Sequence, residues 1–211
     1  RPNPHRRPQH HPRRMTDTLT GHEVEQGTLL PESWSVLPLG DLIESVRESA
    51  TILTDETYEL WSVPSFADGE PEIVAGSSIG SGKLKVEPSD VLISKINPRI
   101  NRVWIVEGSQ VGLDQVASTE WLVARIPDGS PLQPDYLQLY ATSPDFRALI
   151  TEGTQGVTGS HTRAKTPQIL RFLTPVPPPE EQERIVEILE DQLTRLDTAL
   201  QSVHTVRKKA A

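Results

Sequence analysis

The sequence contains no cysteine, no long apolar run and no excess of positive charge. Without cysteine, disulfide scaffolds and thiolate metal sites are excluded, and the composition fits a reducing compartment. No segment approaches the roughly 18 consecutive apolar residues that a membrane-spanning helix needs. No apolar segment follows the basic N-terminus, so it does not resemble a secretory signal. We therefore expect a cytoplasmic protein.

The shortage of positive charge is an objection to nucleic-acid binding, because phosphate contacts need cations. The chain has 21 Lys and Arg against 29 Asp and Glu, a net charge of −8 at pH 7. However, residues 91–179 carry eight Lys and Arg against seven acids, and residues 153–179 contain no acid. A local basic surface on an acidic protein is compatible with DNA binding, and the acidic remainder limits non-specific association.

Composition divides the chain into three parts. Residues 1–29 form a segment that begins with Pro, Arg and His, and we expect it to be disordered because it can bury little apolar surface. A basic arm that contacts DNA is the alternative for residues 1–14, and Met15 is a candidate translation start. Residues 30–176 have the pattern of a mixed domain, and residues 177–211 that of a helix. The expected fold class is α/β (α+β): a mixed, β-rich domain followed by a long C-terminal coiled-coil helix.

Short apolar runs bounded by turn residues predict the secondary structure of the mixed domain. Strands are expected at residues 57–63, 91–96, 103–106 and 121–126. Helices are expected at residues 134–141 and 144–152, each opened by a proline. Asp41 is a candidate N-cap for a further helix at residues 42–49. A loop is expected around Pro64, Gly69 and Pro71, and a turn-rich stretch at residues 76–82.

The last part of the chain carries a heptad pattern. From residue 180 to 208 there is no Gly or Pro, and apolar residues recur at alternating spacings of three and four. They are Val186, Leu189, Leu193, Leu196, Leu200 and Val203. This seam, sustained over about three heptads, predicts a coiled-coil helix about 42 Å long. The alternative is a terminal helix packed back on its own domain, which the preceding Pro177-Pro178-Pro179 disfavours.

An ordered set of motifs resembles a known family. The motifs are Trp34, Leu39-Gly40-Asp41, Asp90-Val91-Leu92-Ile93-Ser94-Lys95, Ser118, Pro134-Asp135-Tyr136-Leu137, Gly153-Thr154 and Pro177-Pro178-Pro179-Glu180-Glu181-Gln182. Over residues 34–208 the chain resembles the specificity subunit of type I restriction–modification systems. Two features depart from the family. Ser89 stands where the family usually has Gly, and the chain has one recognition domain and one spacer helix where the family usually has two.

The resemblance implies a DNA-recognition protein with no catalytic role of its own. Residues 30–176 would be the target-recognition domain for a half-site on double-stranded DNA, and residues 177–211 the spacer and dimerisation helix. Two such helices pair antiparallel, the second belonging to another copy or to a different specificity half. DNA methyltransferase (modification) subunits and a restriction subunit would dock on this assembly. Because those subunits carry the chemistry, no cofactor and no metal is expected in this chain.

Two polar segments supply the side chain types that contact DNA, since Arg and Lys pair with guanine or phosphate and Asn and Gln pair with adenine. The first segment, residues 94–102, contains Lys95, Asn97, Arg99, Asn101 and Arg102. The second, residues 154–165, contains Gln155, Thr158, Ser160, His161, Thr162, Arg163 and Lys165. The alternatives are a solvated turn, with Asn97-Pro98 selected for turn geometry, and a mobile surface loop. Neither segment contains an acid, which favours nucleic acid.

Signals for other functions are weak. Ser160-His161 does not indicate a catalytic triad, whose members meet in space rather than in sequence. Residues 76–82, GSSIGSG, lack the Lys and Ser/Thr of a phosphate-binding loop. The remaining alternative is a non-catalytic coiled-coil adaptor whose globular domain binds protein. Such a domain would expose an apolar patch in place of a cationic surface.

Overall fold

The computed structural model describes residues 30–152 and 163–210, without the side chains of Asp197, Gln201 and residues 203–210. The described strands are β1 Ser35–Pro38, β2 Glu44–Val46, β3 Thr57–Trp61, β4 Glu72–Ala75, β5 Lys83–Lys85, β6 Val91–Ser94, β7 Val103–Ile105, β8 Asp114–Ser118, β9 Trp121–Arg125 and β10 Leu173–Val176. The α-helices are α1 Leu39–Leu42, α2 Pro134–Thr142, α3 Pro144–Glu152, α4 Thr166–Ile169 and α5 Pro179–Ala210. The expected disorder of residues 1–29 concerns residues outside the described ranges.

The central sheet explains the most apolar runs of the sequence. Its strand order is β2-β9-β6-β7, and neighbouring strands are antiparallel. Along β6, Val91 and Ile93 enter the core under one face and Leu92 enters the core under the other. Because both faces are covered, these strands carry continuous apolar residues instead of the alternation of a half-exposed strand.

Helices cover one face of the central sheet and a second sheet covers the other. Side chains of the helices, among them Tyr136, Phe146 and Ile169, pack with the first core. The second sheet has the order β4-β3-β8-β5, with β3 and β8 parallel. Between the sheets the rings of Trp61 and Trp104 pack edge to face, with centroids 4.5 Å apart. The architecture is therefore a layer of helices and two layers of sheet.

The first turn of α5 is fixed to this domain by one fully buried side chain. The amide Nε2 of Gln182 donates to the carbonyl oxygens of Pro131 at 2.7 Å and Pro177 at 2.8 Å. Its Oε1 accepts the backbone N–H of Gln133 at 2.9 Å. Ile185 then packs against the helix-side core. The glutamine of the Pro-rich motif therefore connects the start of α5 to the loop before α2.

Beyond its first two turns, α5 leaves its seam uncovered. The side chains of Leu189, Leu193, Leu196 and Leu200 are between 40% and 60% exposed. The predicted helix is confirmed, and over these four residues it is not packed back on its own domain. The side chain of Val203 lies outside the described set. No helix of the described residues is long and apolar enough to cross a membrane.

The predicted fold class is confirmed: mixed sheets with helices precede a long C-terminal helix. The predicted strands at 57–63, 91–96, 103–106 and 121–126 and the two proline-opened helices are confirmed, with ends within two residues. The predicted helix at residues 42–49 is wrong. This segment contains β2, which pairs with β9 and buries Val46 opposite Val123. Pairing with β9 at the edge of the central sheet stabilises this segment as a strand, and its weak helical periodicity is not enough to make it a helix.

Candidate nucleic-acid interface

Positively charged residues lie together at one end of the central sheet. At this end β2 and β6 terminate, at Val46 and Ser94, and the antiparallel β7 and β9 begin, at Val103 and Trp121. The residues that continue these four strands therefore share one end of the sheet. We call this the basic end; it consists of Arg47, Lys95, Arg99, Arg102, Arg163 and Glu120.

The two predicted DNA-contacting segments meet at the basic end. Ile96 and Arg163 form an antiparallel bridge, and the N–H of Ala164 donates to the carbonyl oxygen of Lys95 at 2.8 Å. These contacts join residues more than sixty positions apart in the chain. The sequence of neither segment predicts this proximity, because it depends on contacts between distant parts of the chain.

The charges of the basic end act on one another. Burial lowers the pKa of Lys95 most, and the neighbouring Arg163 lowers it further. Glu120 raises the pKa of Lys95, and Arg47 lowers it by a smaller effect. The carboxylate of Glu120 forms an ion pair with the guanidinium of Arg163. Lys95 therefore lies near two other cations and one carboxylate, an excess of positive charge that suits a polyanionic partner.

Arg47 was missed in the sequence analysis. It lies in an acidic stretch, since residues 15–90 carry fifteen acids against three Lys and Arg. Only the pairing of β2 with β9 places it beside Lys95. Among the residues that the structure describes, Arg47 and Arg99 are exposed and form no ion pair. Both remain available to an external anion.

Other residues of the first segment have contacts within the fold. The side-chain amide of Asn101 donates to the carbonyl oxygen of Ala141 at the end of α2, at 2.9 Å. Asn97 has a φ of +46°, and its carbonyl oxygen accepts the N–H of Ile100 at 2.8 Å. Asn97 thus shapes the connection between β6 and β7, as the turn alternative predicts, and Asn101 attaches this connection to α2. The guanidinium Nη1 of Arg102 is buried without a hydrogen-bond partner in the described structure.

The second segment is described only in part. Arg163 and Lys165 are exposed, and Lys165 directly precedes α4. Gln155, Thr158, Ser160, His161 and Thr162 were also predicted to contact DNA, and they lie outside the described residues.

The opposite end of the central sheet is acidic, and three of its charged residues pair with one another. We call this the acidic end; it consists of Glu44, Glu87, Asp90, Glu107, Asp128 and Arg125. The carboxylate of Asp90, 1% exposed, accepts hydrogen bonds from Nε and Nη2 of Arg125, both at 2.8 Å, and from the N–H of Glu87 at 2.8 Å. Nη1 of Arg125 pairs with the Glu87 carboxylate at 2.8 Å. The bonds to Asp90 raise the pKa of Arg125.

The backbone before Asp90 explains one departure from the family pattern. Ser89 has a φ of +72°, a left-handed conformation that costs a residue with a side chain but not glycine. The N–H of Ser89 donates to the carbonyl oxygen of Val106 at 2.8 Å, which holds this turn against the end of β7. Glycine is therefore the favoured residue at this position for a conformational reason, and Ser89 adopts the strained conformation.

Comparison with known proteins shows a shared fold. No protein-family model and no curated protein matches the sequence. Among solved structures, the HsdS subunit from Thermoanaerobacter tengcongensis superposes with a TM-score of 0.70 at 21% identity, covering 83% of this chain and 46% of that chain. A chain from a structure on the complex assembly and conformational transition of the type I restriction–modification system gives a TM-score of 0.65 at 21% identity, covering 82% and 45%. This chain spans about half the length of these neighbours, and it has the fold of about half of an HsdS subunit.

Proposed function

We propose that this chain is a DNA-recognition half of a type I restriction–modification specificity subunit. In this proposal residues 30–176 bind a half-site on double-stranded DNA through the basic end, and residues 177–211 serve as the spacer. The observation that carries the proposal is the bridge between Ile96 and Arg163, which joins both predicted DNA-contacting segments beside Arg47. The shared fold with an HsdS subunit supports it.

The arrangement of the basic end suits this task. Arg47, Lys95 and Arg102 directly adjoin paired strands, so their backbone positions are fixed before DNA binds, which limits the entropy lost on binding. The exposed Arg99 has the side chain type that pairs bidentately with guanine in the major groove. Arg47 and Lys95 are suited to phosphates, which fix the position of a protein on DNA without specifying sequence. The acidic end faces away from this surface and limits non-specific association.

The partners follow from the same proposal. The chain directs DNA methyltransferase and restriction subunits to the DNA in the cytoplasm; it has no catalytic role and needs no cofactor of its own. The exposed leucine seam of α5 pairs antiparallel with the seam of a second specificity half, because an apolar stripe this long is stabilised by a covering helix.

Sedimentation of the chain tests the pairing with a second copy. We expect a concentration-dependent dimer, and Leu193→Asp with Leu200→Asp should abolish it because two charges would be buried in the seam. Thr194→Asp with Thr198→Asp is the matched control: it adds the same charge on the opposite side of the helix and should leave the dimer intact. A wild-type chain that remains monomeric at high concentration would contradict self-pairing and leave a different half as the partner.

Selection from a random pool of DNA duplexes tests the recognition itself. The full chain, alone and with its candidate methyltransferase, is used across a salt series. We expect one short motif to be enriched and its affinity to fall steeply with salt. No enrichment, even with the methyltransferase present, would contradict DNA recognition and favour the coiled-coil adaptor, whose globular domain binds protein.

A further inference from the structure

Glu120 is an unusual residue at a surface suited to bind a polyanion. It occupies the tight connection between β8 and β9, where its N–H donates to the Ser118 hydroxyl at 3.2 Å. Its carbonyl oxygen accepts the N–H of Lys95 at 3.0 Å. Its carboxylate forms an ion pair with the Arg163 guanidinium and lies near Lys95. A carboxylate at this position opposes the binding of phosphate.

The side chains of Glu120 and Arg163 are partly exposed, although the Glu120 oxygen that forms the ion pair, Oε2, is itself buried. The Arg163 side chain is 51% exposed and the Glu120 side chain 33% exposed. Pairs of this kind contribute little to stability, so an external anion can displace the carboxylate at small cost.

We propose that Glu120 determines specificity by competing with DNA phosphates for Arg163, which weakens binding to any duplex that offers phosphates alone. A target duplex also offers base edges to neighbouring side chains, and this additional binding compensates for displacing the carboxylate. The inference rests on the proposed function, because it assigns a role within the same DNA-binding surface. It makes Glu120 a residue that increases discrimination by suppressing the wrong complexes.

The substitution Glu120→Gln tests this role because it removes the charge and keeps the shape. Affinities of the full chain for the selected duplex and for a scrambled duplex are measured across a salt series. We expect the affinity for the scrambled duplex to rise roughly threefold to tenfold at low salt, and its salt dependence to steepen by up to about one phosphate contact. The affinity for the selected duplex should change less, so the ratio of the two affinities falls.

Glu44→Gln provides a matched control. Glu44 is an exposed residue at the acidic end, and its substitution changes the net charge of the chain by the same amount. This variant should keep the wild-type ratio, because Glu44 competes for no cation of the basic end. A fall in the ratio as large as that of Glu120→Gln would mean that net charge alone sets the discrimination, which would overturn the proposal.

Thermal unfolding adds a readout that a purely structural role would not give. Without DNA, Glu120→Gln should unfold at a slightly lower temperature, because Arg47, Lys95 and Arg163 lose the charge that offsets their repulsion. Addition of the scrambled duplex should then raise the melting temperature of the variant more than that of the wild type. An equal rise in both proteins would count against competition for Arg163.

The remaining outcomes separate this inference from the proposed function. If the wild type selects a motif and Glu120→Gln leaves the scrambled duplex unchanged, the inference fails and the proposed function stands. If Glu120→Gln loses affinity for the selected duplex alone, Glu120 contacts a base directly, as a carboxylate does at cytosine N4, and the inference is overturned. If the wild type selects no motif, the proposed function fails, while the scrambled-duplex measurement still decides whether Glu120 opposes phosphate.

Discussion

The two ends of the central sheet use charge in opposite ways. At the acidic end, Asp90 is buried, and its carboxylate accepts hydrogen bonds from Arg125 and from the backbone of Glu87. At the basic end, Arg47 and Arg99 are exposed and form no ion pair within the described structure. The same four strands thus end in charges that stabilise the fold on one side and in charges available to a partner on the other.

This difference predicts that the residues important for stability and those important for DNA binding lie at opposite ends of the central sheet. Substitutions of the buried, paired Asp90 at the acidic end, and of Gln182 at the start of α5, should change the free energy of unfolding. Substitutions at the basic end should change DNA affinity and leave stability almost unchanged.

The largest effect is expected for Asp90→Ala. The substitution leaves Arg125 with Glu87 as its remaining carboxylate partner and removes the acceptor of the Glu87 N–H, so we expect a loss of about 3 kcal/mol in the free energy of unfolding. Urea unfolding measures it. Asp128→Asn, at an exposed acid of the same end, serves as the control and should change the free energy by less than about 0.5 kcal/mol. A loss below about 1 kcal/mol for Asp90→Ala would show that the acidic end is not a structural centre.

The second effect concerns the attachment of α5. Gln182→Ala leaves the N–H of Gln133 and two carbonyl oxygens without their partner, at a cost of about 2 kcal/mol. Gln182→Glu keeps the acceptor but places a carboxylate oxygen against the carbonyls of Pro131 and Pro177, so it should destabilise as well. Chemical unfolding of both variants checks this. Wild-type stability in Gln182→Glu would mean that the two carbonyls do not depend on this amide.

The third effect concerns binding. Arg47→Glu combined with Arg99→Glu should weaken binding to the selected duplex at least tenfold, about 1.4 kcal/mol, and reduce its salt dependence. The unfolding free energy should stay within about 0.5 kcal/mol of the wild type, since neither residue forms an ion pair in the described structure. Arg184→Glu on α5, a single substitution of the same type outside the basic end, is the control. A loss of stability in place of affinity would reverse the assigned roles of the two ends.

The smallest expected effect is an increase in the free energy of unfolding. Ser89→Gly should stabilise the protein by about 0.5–1 kcal/mol, because glycine accepts a φ of +72° without strain. Ser89→Ala keeps a side chain at this position and should give no gain. Calorimetric melting of the three proteins compares them. Equal stabilisation by alanine would assign the effect to the hydroxyl group and not to the backbone conformation.

Much of the fold was predictable because its signals are local. The continuous apolar runs of β6 and β9 indicate strands covered on both faces, and the prolines at 134 and 144 mark the first residues of α2 and α3. The heptad spacing of α5 predicts an apolar stripe, which the structure leaves exposed. These features depend on residues close together in the chain, so one sequence is enough to recognise them.

The rest depends on pairing between distant segments. Strands β4, β5 and β8 were missed because they are short and, in β5 and β8, mostly polar, and their conformation depends on pairing in the second sheet. The segment of β2 was assigned to a helix because its partner β9 lies more than seventy residues away. For the same reason Arg47 was overlooked. Sequence reasoning found the two basic segments but not the sheet end that unites them.

Photo-crosslinking of the wild-type chain to its selected duplex, followed by mass spectrometry of the crosslinked peptides, tests the central claim most directly. We predict crosslinks at the basic end, in the peptides that contain Arg47, Lys95 to Arg102 and Arg163. Crosslinks confined to the acidic end or to the seam of α5 would contradict the account.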